Sequence, residues 1–412
     1  MTAPPAPAPP GPQEPAERPP PRARPHIAAL DGLRGFAVVA VVLFHAGHLG
    51  GGFLGVDLFF ALSGFLITGL LLGESARHGR IDLPAFWGRR ARRLLPALAL
   101  VLLAIPLLAW AFGSTAQLRF ALQDAPWVAG QSVNWHYIGQ RLDYWGSSET
   151  RLFAPLWSIA VEWQFYLLWP PLAALLARRH GERAVAAVAA AGALLSLALM
   201  AHLVHAVDTT RAYEGTDTRA FALLLGSAAA TAPVRDLVGR VPPLAARALS
   251  AALAGGLLLS WPLVDGHDAP GLYRGGMFLH SLAAALLIAL LAAAPARGVG
   301  RLLGARVPRR LGELSYGLYL WHWPVYALLP TTLAGPGGWG RTTLALGLSL
   351  TAAILSRRWV EDPVRYRARW ARGRRGWLAL GLAALAATAL WLAVPRPEAG
   401  AGTVDVERLT TP

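Results

Sequence analysis

Two ionisable side chains, Arg34 and His45, stand in a stretch that is otherwise apolar, LDGLRGFAVVAVVLFHAG. On one helix they would lie roughly 16 Å apart at 1.5 Å per residue. Arg34 then falls at one membrane edge and His45 in the opposite half. A neutral imidazole can take a proton from a hydroxyl and return it to a leaving group near neutral pH. The same residue type also caps backbone at helix ends, and residue type does not choose between these readings. The next segment, GVDLFFALSGFLI, puts Asp57 at the mouth of a second apolar helix. Asp57 could orient His45 or His48 by accepting a ring N–H, as the third member of a triad does. A carboxylate is equally favoured there by the helix dipole. Ser63, beside Gly64, reads as a small packing residue and not as a nucleophile.

Further groups follow along the chain. FWGRRARRLLP supplies Arg89, Arg90, Arg92 and Arg93 just before an apolar run, with 89, 92 and 93 on one helical face. Guanidinium forks hold phosphates bidentately, which suits a nucleotide-phosphate donor such as coenzyme A. Four arginines at that place would also serve as a plain orientation anchor. WSIAVEWQFYLLWP places Glu162 and Gln164 in the outer half of an apolar helix, flanked by Trp157, Trp163 and Trp169. Tryptophan is ordinary at an interface, but a glutamate inside needs a His, an Arg or a polar substrate as partner. Tyr213, Thr216, Asp217 and Arg219 gather at the outer end of another run, where Tyr213 or Arg219 could hold an acceptor. SYGLYLWHWPV aligns Tyr316, Tyr319 and His322, with Pro324 freeing a carbonyl. RRWVEDPVRYRARW offers Arg357, Arg358 and Arg365 as further phosphate contacts.

These residues need a membrane-embedded scaffold. The chain has 412 residues, of which 55% are hydrophobic and 15% charged, with mean hydropathy +0.42. Soluble domains carry roughly 25% charge. The reading is therefore an all-α, polytopic membrane bundle of about eleven spans, a ten-helix core plus one. They are expected at 32–49, 53–73, 94–113, 156–177, 184–207, 219–233, 247–264, 275–294, 311–330, 341–357 and 377–394. The region 117–137 is moderately apolar but holds Arg119, Asp124, Pro126 and His136; it reads as a twelfth span or as an external, partly re-entrant loop, and is left outside the membrane. With that choice the arginine clusters fall on alternate loops, giving a cytoplasmic N-terminus and an extracytoplasmic C-terminus. The net charge of +15 is then orientation signal and contact with anionic lipid, not a nucleic-acid surface. There is no cysteine, which excludes disulfides, thiolate catalysis and cysteine metal sites, and no metal centre is expected. Residues 1–26 read as a disordered cytoplasmic tail, 371–394 as an additional C-terminal helix, and 395–412 as a short extracytoplasmic tail.

At these motifs, in this order across about 27–367, the sequence resembles the acyltransferase-3 family of bacterial integral-membrane O-acyltransferases, which includes O-antigen and peptidoglycan acetylases. The resemblance implies an acyltransferase domain over 27–370. Its implied reaction moves an acyl group, usually acetyl from cytosolic acetyl-CoA, to a hydroxyl of a carbohydrate or glycoconjugate. It implies His45 as the essential histidine, Arg34 as the first-helix arginine, Arg89, Arg90 and Arg93 as the donor-side motif, and Glu162 as the acidic residue of the fourth span. Where the family usually has a second acid, this chain has Trp163. Some members continue into an extracytoplasmic hydrolase-like domain, so a separate extracytoplasmic acyl-handling protein is an expected partner.

The expected site is thus His45, Asp57 and Glu162 for catalysis, with Arg34, Arg89, Arg90, Arg92, Arg93 and Arg358 on the donor. Trp157, Gln164, Tyr213, Arg219, Tyr319 and His322 are expected on the acceptor. Direct transfer and an acyl-His45 intermediate both stay open. The alternative class is a proton-coupled transporter or flippase using His45, Glu162 and His322 as a relay, although no inverted repeat is evident. A non-catalytic scaffold leaves the polar residues inside the spans without a purpose.

Overall fold

A computed structural model describes residues 26–142, 150–204, 209–266, 269–295, 297–330, 338–368, 370–371 and 373–395. Nearly all of both expected tails lies outside these residues. The described chain is helical, with no strand among the described residues. Helix α1 (Ala28–His45) leads through a tight 3-10 turn, Gly50–Leu54, into α2 (Gly55–His78). Then come α3 (Leu83–Phe112), the short α4 (Thr115–Ala129) and α5 (Val133–Gly139), and the long α6 (Trp157–Leu203). After α7 (Thr210–Glu214) follow α8 (Thr216–Ala229), α9 (Ala232–Gly239), α10 (Pro243–Leu263) and α11 (Met277–Ala293). The chain closes with α12 (Val299–Leu303), α13 (Arg306–Leu328), α14 (Trp339–Ser356) and α15 (Gly373–Ala393).

Among the described residues, seven helical stretches are long and apolar enough to cross a bilayer: α1, α2, α3, α6, α10, α11 and α15. The stretch Thr210–Ala229, which is α7 with α8, and α9, bent from it by 63°, make an eighth if they are one span. Helix α6 breaks at Gly181, whose φ of 76° and ψ of −177° are not helical. Gln164 before the break bonds Thr216, and Ser196 after it bonds the Asp217 carbonyl. Both halves of α6 therefore return to the same level, and the chain reverses at Gly181. Two expected spans thus share α6, and the ninth and tenth, 311–330 and 341–357, fall on α13 and α14, which are less apolar. The expected spans fall on helices, with 219–233 crossing the bend between α8 and α9 and 32–49 running past the end of α1, while length and apolarity by themselves support seven or eight. The region 117–137 is divided between α4 and α5, of 15 and 7 residues, each below the about 20 that a span requires.

The centre is held by close backbone approach. Gly312 of α13 faces α1 so tightly that a Cβ there would sit 1.7 Å from the Asp31 carbonyl oxygen. Gly64 of α2 faces α8 in the same way, 1.8 Å from the Leu223 oxygen. Small residues let membrane helices pack where hydrophobicity gives no preference between helix and lipid. Contacts 31–312 and 45–322 make α1 and α13 parallel, and contacts 57–219 and 64–227 make α2 and α8 parallel. These two tight pairs, with the first half of α6, enclose Asp57, Glu162, Arg219 and His322.

Candidate active site

His45 is the last residue of α1, and His322 lies opposite on α13. His45 Nδ1 is 2.9 Å from the Val41 carbonyl oxygen and 3.1 Å from His322 Nε2. His322 Nδ1 is in turn 2.7 Å from the Tyr319 carbonyl oxygen. A carbonyl can only accept, so in neutral His322 the proton sits on Nδ1 and the lone pair on Nε2. That lone pair accepts from His45 Nδ1–H, which the Val41 carbonyl favours as well. His45 Nε2 is then the basic nitrogen, a tautomer assigned here from hydrogen-bond partners. Trp323 packs on the His45 ring at 5.2 Å and Phe44 meets it edge-on at 5.0 Å. The pair opens on a narrow cleft lined also by Val42, Tyr326, Thr342 and Ser349, with a volume of about 10 Å³, room for one water.

Below the histidines runs a column of hydroxyls on α13. Tyr319, one turn from His322, donates to the Pro155 carbonyl at 2.8 Å and lies 2.6 Å from Ser158 Oγ. Tyr316, a turn further down, donates to the Leu94 carbonyl at 2.9 Å. At this depth Glu162 accepts short hydrogen bonds from Ser63 and Tyr166. Its charged neighbours are Arg34 and Arg90, and Arg93 lies beside both of these arginines. The Nε atoms of Arg34 and Arg90 are buried without a hydrogen-bond partner. Arg365, on the turn after α14, joins the group: burial, and then Arg93, hold its guanidinium below its usual range. Two guanidinium groups beside Glu162, adjoined by Arg93 and through it by Arg365, make this end of the column a natural place for an anion.

Two expected catalytic assignments are corrected by this geometry. Asp57 accepts from Arg219 Nη2 at 2.8 Å, both side chains having zero exposure, and bonds neither His45 nor His48. Glu162 belongs to the arginine group and does not orient an imidazole. His48 bonds Thr342 Oγ1 at 2.8 Å instead. The acceptor assignments also change. Arg219 is locked between Asp57 and Met277 and packed beneath Tyr213 and Trp157, so none of Arg219, Tyr213 and Trp157 presents a surface. Gln164 ties α6 to the α4–α5 region, donating to Asn134 Oδ1 at 3.0 Å and to the Gln131 carbonyl at 2.8 Å. Tyr319 and His322 do line the column beside His45. On the donor side, Arg89 turns to Glu74 at 3.1 Å, Arg92 is half-buried and Arg358 is exposed. Among the described residues no three His, Asp or Glu side chains gather as a metal site would require.

Ser63, Tyr166 and the His45–His322 contact are what sequence reasoning missed. Ser63 read as packing because its partner lies 99 residues away. The signal that was available is the polar i, i+3, i+6 stripe Tyr316, Tyr319, His322, which needs a polar face opposite.

Comparison with known proteins adds to this geometry. Residues 27–358 match the acyltransferase-3 family, described as an acyltransferase domain. Similar curated proteins include YrhL of Bacillus subtilis, assigned by name to peptidoglycan O-acetylation, 37% identical over 351 residues covering 82% of this chain and 55% of that protein. The O-acetyltransferase OatA of Staphylococcus aureus is 33% identical over 355 residues, covering 82% of this chain and 57% of its own. The peptidoglycan O-acetyltransferase OatA of Listeria monocytogenes is 33% identical over 356 residues, covering 83% and 56%. The chain spans about half the length of these relatives. No solved structure matches.

Proposed function

The chain belongs to the acyltransferase-3 family, and from that premise we propose that it is an integral-membrane O-acyltransferase that moves an acetyl group from cytosolic acetyl-CoA to a hydroxyl of a cell-envelope carbohydrate. The observation that carries this reading is the polar column itself, a basic imidazole at one end and an anion-binding arginine group at the other. The phosphates of coenzyme A dock at Arg34, Arg90, Arg93 and Arg365, on the cytoplasmic side. Its pantetheine arm runs along α13 past Tyr316 and Tyr319. The rise from Arg34 to His45 is on the order of 16 Å, a distance such an arm can cover. His45 Nε2 takes the proton of the acceptor hydroxyl as the oxygen attacks the thioester carbon. The C–O bond forms, the C–S bond breaks, and the proton passes from His45 to the leaving thiolate. His322 holds His45 in the tautomer that makes Nε2 the base. The relatives' names point to peptidoglycan as the acceptor class.

In proteoliposomes loaded with acetyl-CoA and a soluble glycan, mass spectrometry should find glycan heavier by one acetyl group. His45→Ala should abolish that product while the protein still folds and binds coenzyme A. Full transfer by His45→Ala would end the proposal. Because the chain has no cysteine, orientation can be read separately. Arg89→Cys should be labelled by an impermeant thiol reagent from the cytoplasmic side only.

A further inference from the structure

The cleft at His45 has room for one water and none for a sugar ring. An acceptor carbohydrate must therefore rest its ring outside and extend one hydroxyl inward. The structure holds a flat aromatic surface at that rim. Trp339 begins α14, three residues before Thr342, which lines the cleft. On a helix the two share a face and differ by about 4.5 Å in height, close to the width of a pyranose. The Trp339 indole is stacked on the His48 ring, 3.8 Å between centroids and 9° from parallel. His48 is itself fixed by its bond to Thr342, and Thr342 reaches the Gly338 carbonyl at 3.4 Å. One face of the indole is thus backed, and the residue as a whole is 63% exposed.

Resting on the acetyl-transfer reading above, we propose that Trp339, backed by His48, is the stacking platform for the acceptor pyranose and sets the ring so that one hydroxyl enters the His45 cleft. The chemistry is that of an aromatic face against the C–H face of a sugar. It requires no charge and fits a neutral hexose or N-acetylhexosamine ring. Tryptophan at a membrane interface is otherwise an anchor, and the test separates the two roles.

Acetyl transfer to chitotetraose and to a soluble peptidoglycan disaccharide would be followed with wild-type protein, Trp339→Leu, Trp339→Phe and Trp110→Leu. Trp110, on α3, is 58% exposed and serves as the interface control. Trp339→Leu keeps an apolar side chain but removes the aromatic face. It should raise the acceptor KM about tenfold with kcat at saturating acceptor within about twofold. Trp339→Phe should raise KM by about twofold to threefold and Trp110→Leu should leave it unchanged. An unchanged acceptor KM in Trp339→Leu, beside wild-type transfer, overturns the platform and leaves the enzymatic reading standing. A matching loss in Trp110→Leu overturns it likewise, since anchoring would then be the cause. If Trp339→Leu does not accumulate, the KM of Trp339→Phe decides. Wild-type protein that transfers acetyl to no glycan overturns both.

Discussion

Replacing His322 by alanine tests the catalytic geometry most directly. Among the described residues, the change deletes one acceptor of His45 Nδ1–H, the His322 Nε2 at 3.1 Å, and leaves another, the Val41 carbonyl at 2.9 Å. His45 therefore keeps some preference for the productive tautomer but loses its fixed ring orientation. Because Nδ1–H keeps the Val41 carbonyl, the loss is that of one ordinary hydrogen bond, about 0.5–1.5 kcal/mol. At 1.36 kcal/mol per tenfold, kcat should fall by about twofold to 12-fold. The KM for acetyl-CoA should hardly move, because the arginines lie at the other end of the column. His322→Gln, whose amide oxygen can accept in place of Nε2, should recover part of the rate. Release of coenzyme A can be followed with a thiol reagent, and a chain without cysteine gives no background. His45→Ala sets the floor. Two results would refute the reasoning. A His322→Ala rate equal to wild type would mean that the contact does not orient the base. A rate at the His45→Ala floor would put proton transfer on His322 itself.

Other expectations concern the frame and the donor end. Asp57→Asn leaves Arg219 buried without its counter-charge and should cost about 3–5 kcal/mol of stability, seen as a large drop in the melting temperature in detergent; a stable but inactive Asp57→Asn would argue for a chemical role instead. Glu162→Gln removes the carboxylate that faces both Arg34 and Arg90, so it should lower stability at low ionic strength and do so less at high salt, where screening relieves the arginines; an identical melting temperature at both salt concentrations would count against the cluster. Gly312→Ala places a Cβ 1.7 Å from a backbone oxygen, so α1 and α13 must separate; a loss of about 1–3 kcal/mol is expected, and normal stability and turnover would show that this crossing is not tight. Burial pushes the Asp124 carboxyl up to about 6 although Arg151 lies beside it. The folded chain then binds a proton between about pH 4 and pH 6 that the unfolded chain does not, so this residue makes stability fall as pH rises through that window, and thermal unfolding of Asp124→Asn should lack that slope.

Much of this architecture was legible in the residues. Each apolar run became a helix, because a backbone in lipid must satisfy its own hydrogen bonds. The stretch 117–137 was set outside the membrane by the alternation of the arginine-bearing loops, and the structure divides it into α4 and α5. The separation of Arg34 from His45 also followed, since helical rise fixes it. Partner choice did not. Helical periodicity shows which face is polar but not which neighbour meets it, so Asp57 could not be assigned to Arg219, 162 residues away. Glu162 was placed near His45 by counting turns from the start of its helix. That start is not at the membrane edge: residues 152–157 are buried, with Trp157 at zero exposure, and α6 begins deep in the bundle. The same count from a sunken origin lands on the arginines.

Helix α13 has a consequence for how the protein is made. Its tyrosines and His322 find their partners on α3, on the segment before α6 and, 277 residues earlier, on α1. Delivered to lipid by itself, this segment would present phenols and an imidazole to hydrocarbon. The first helix must therefore stay accessible within the bilayer while the next 277 residues, about two thirds of the polypeptide, are synthesised. Assembly of the reaction centre is then a late event, completed when the beginning of the chain receives a helix from near its end.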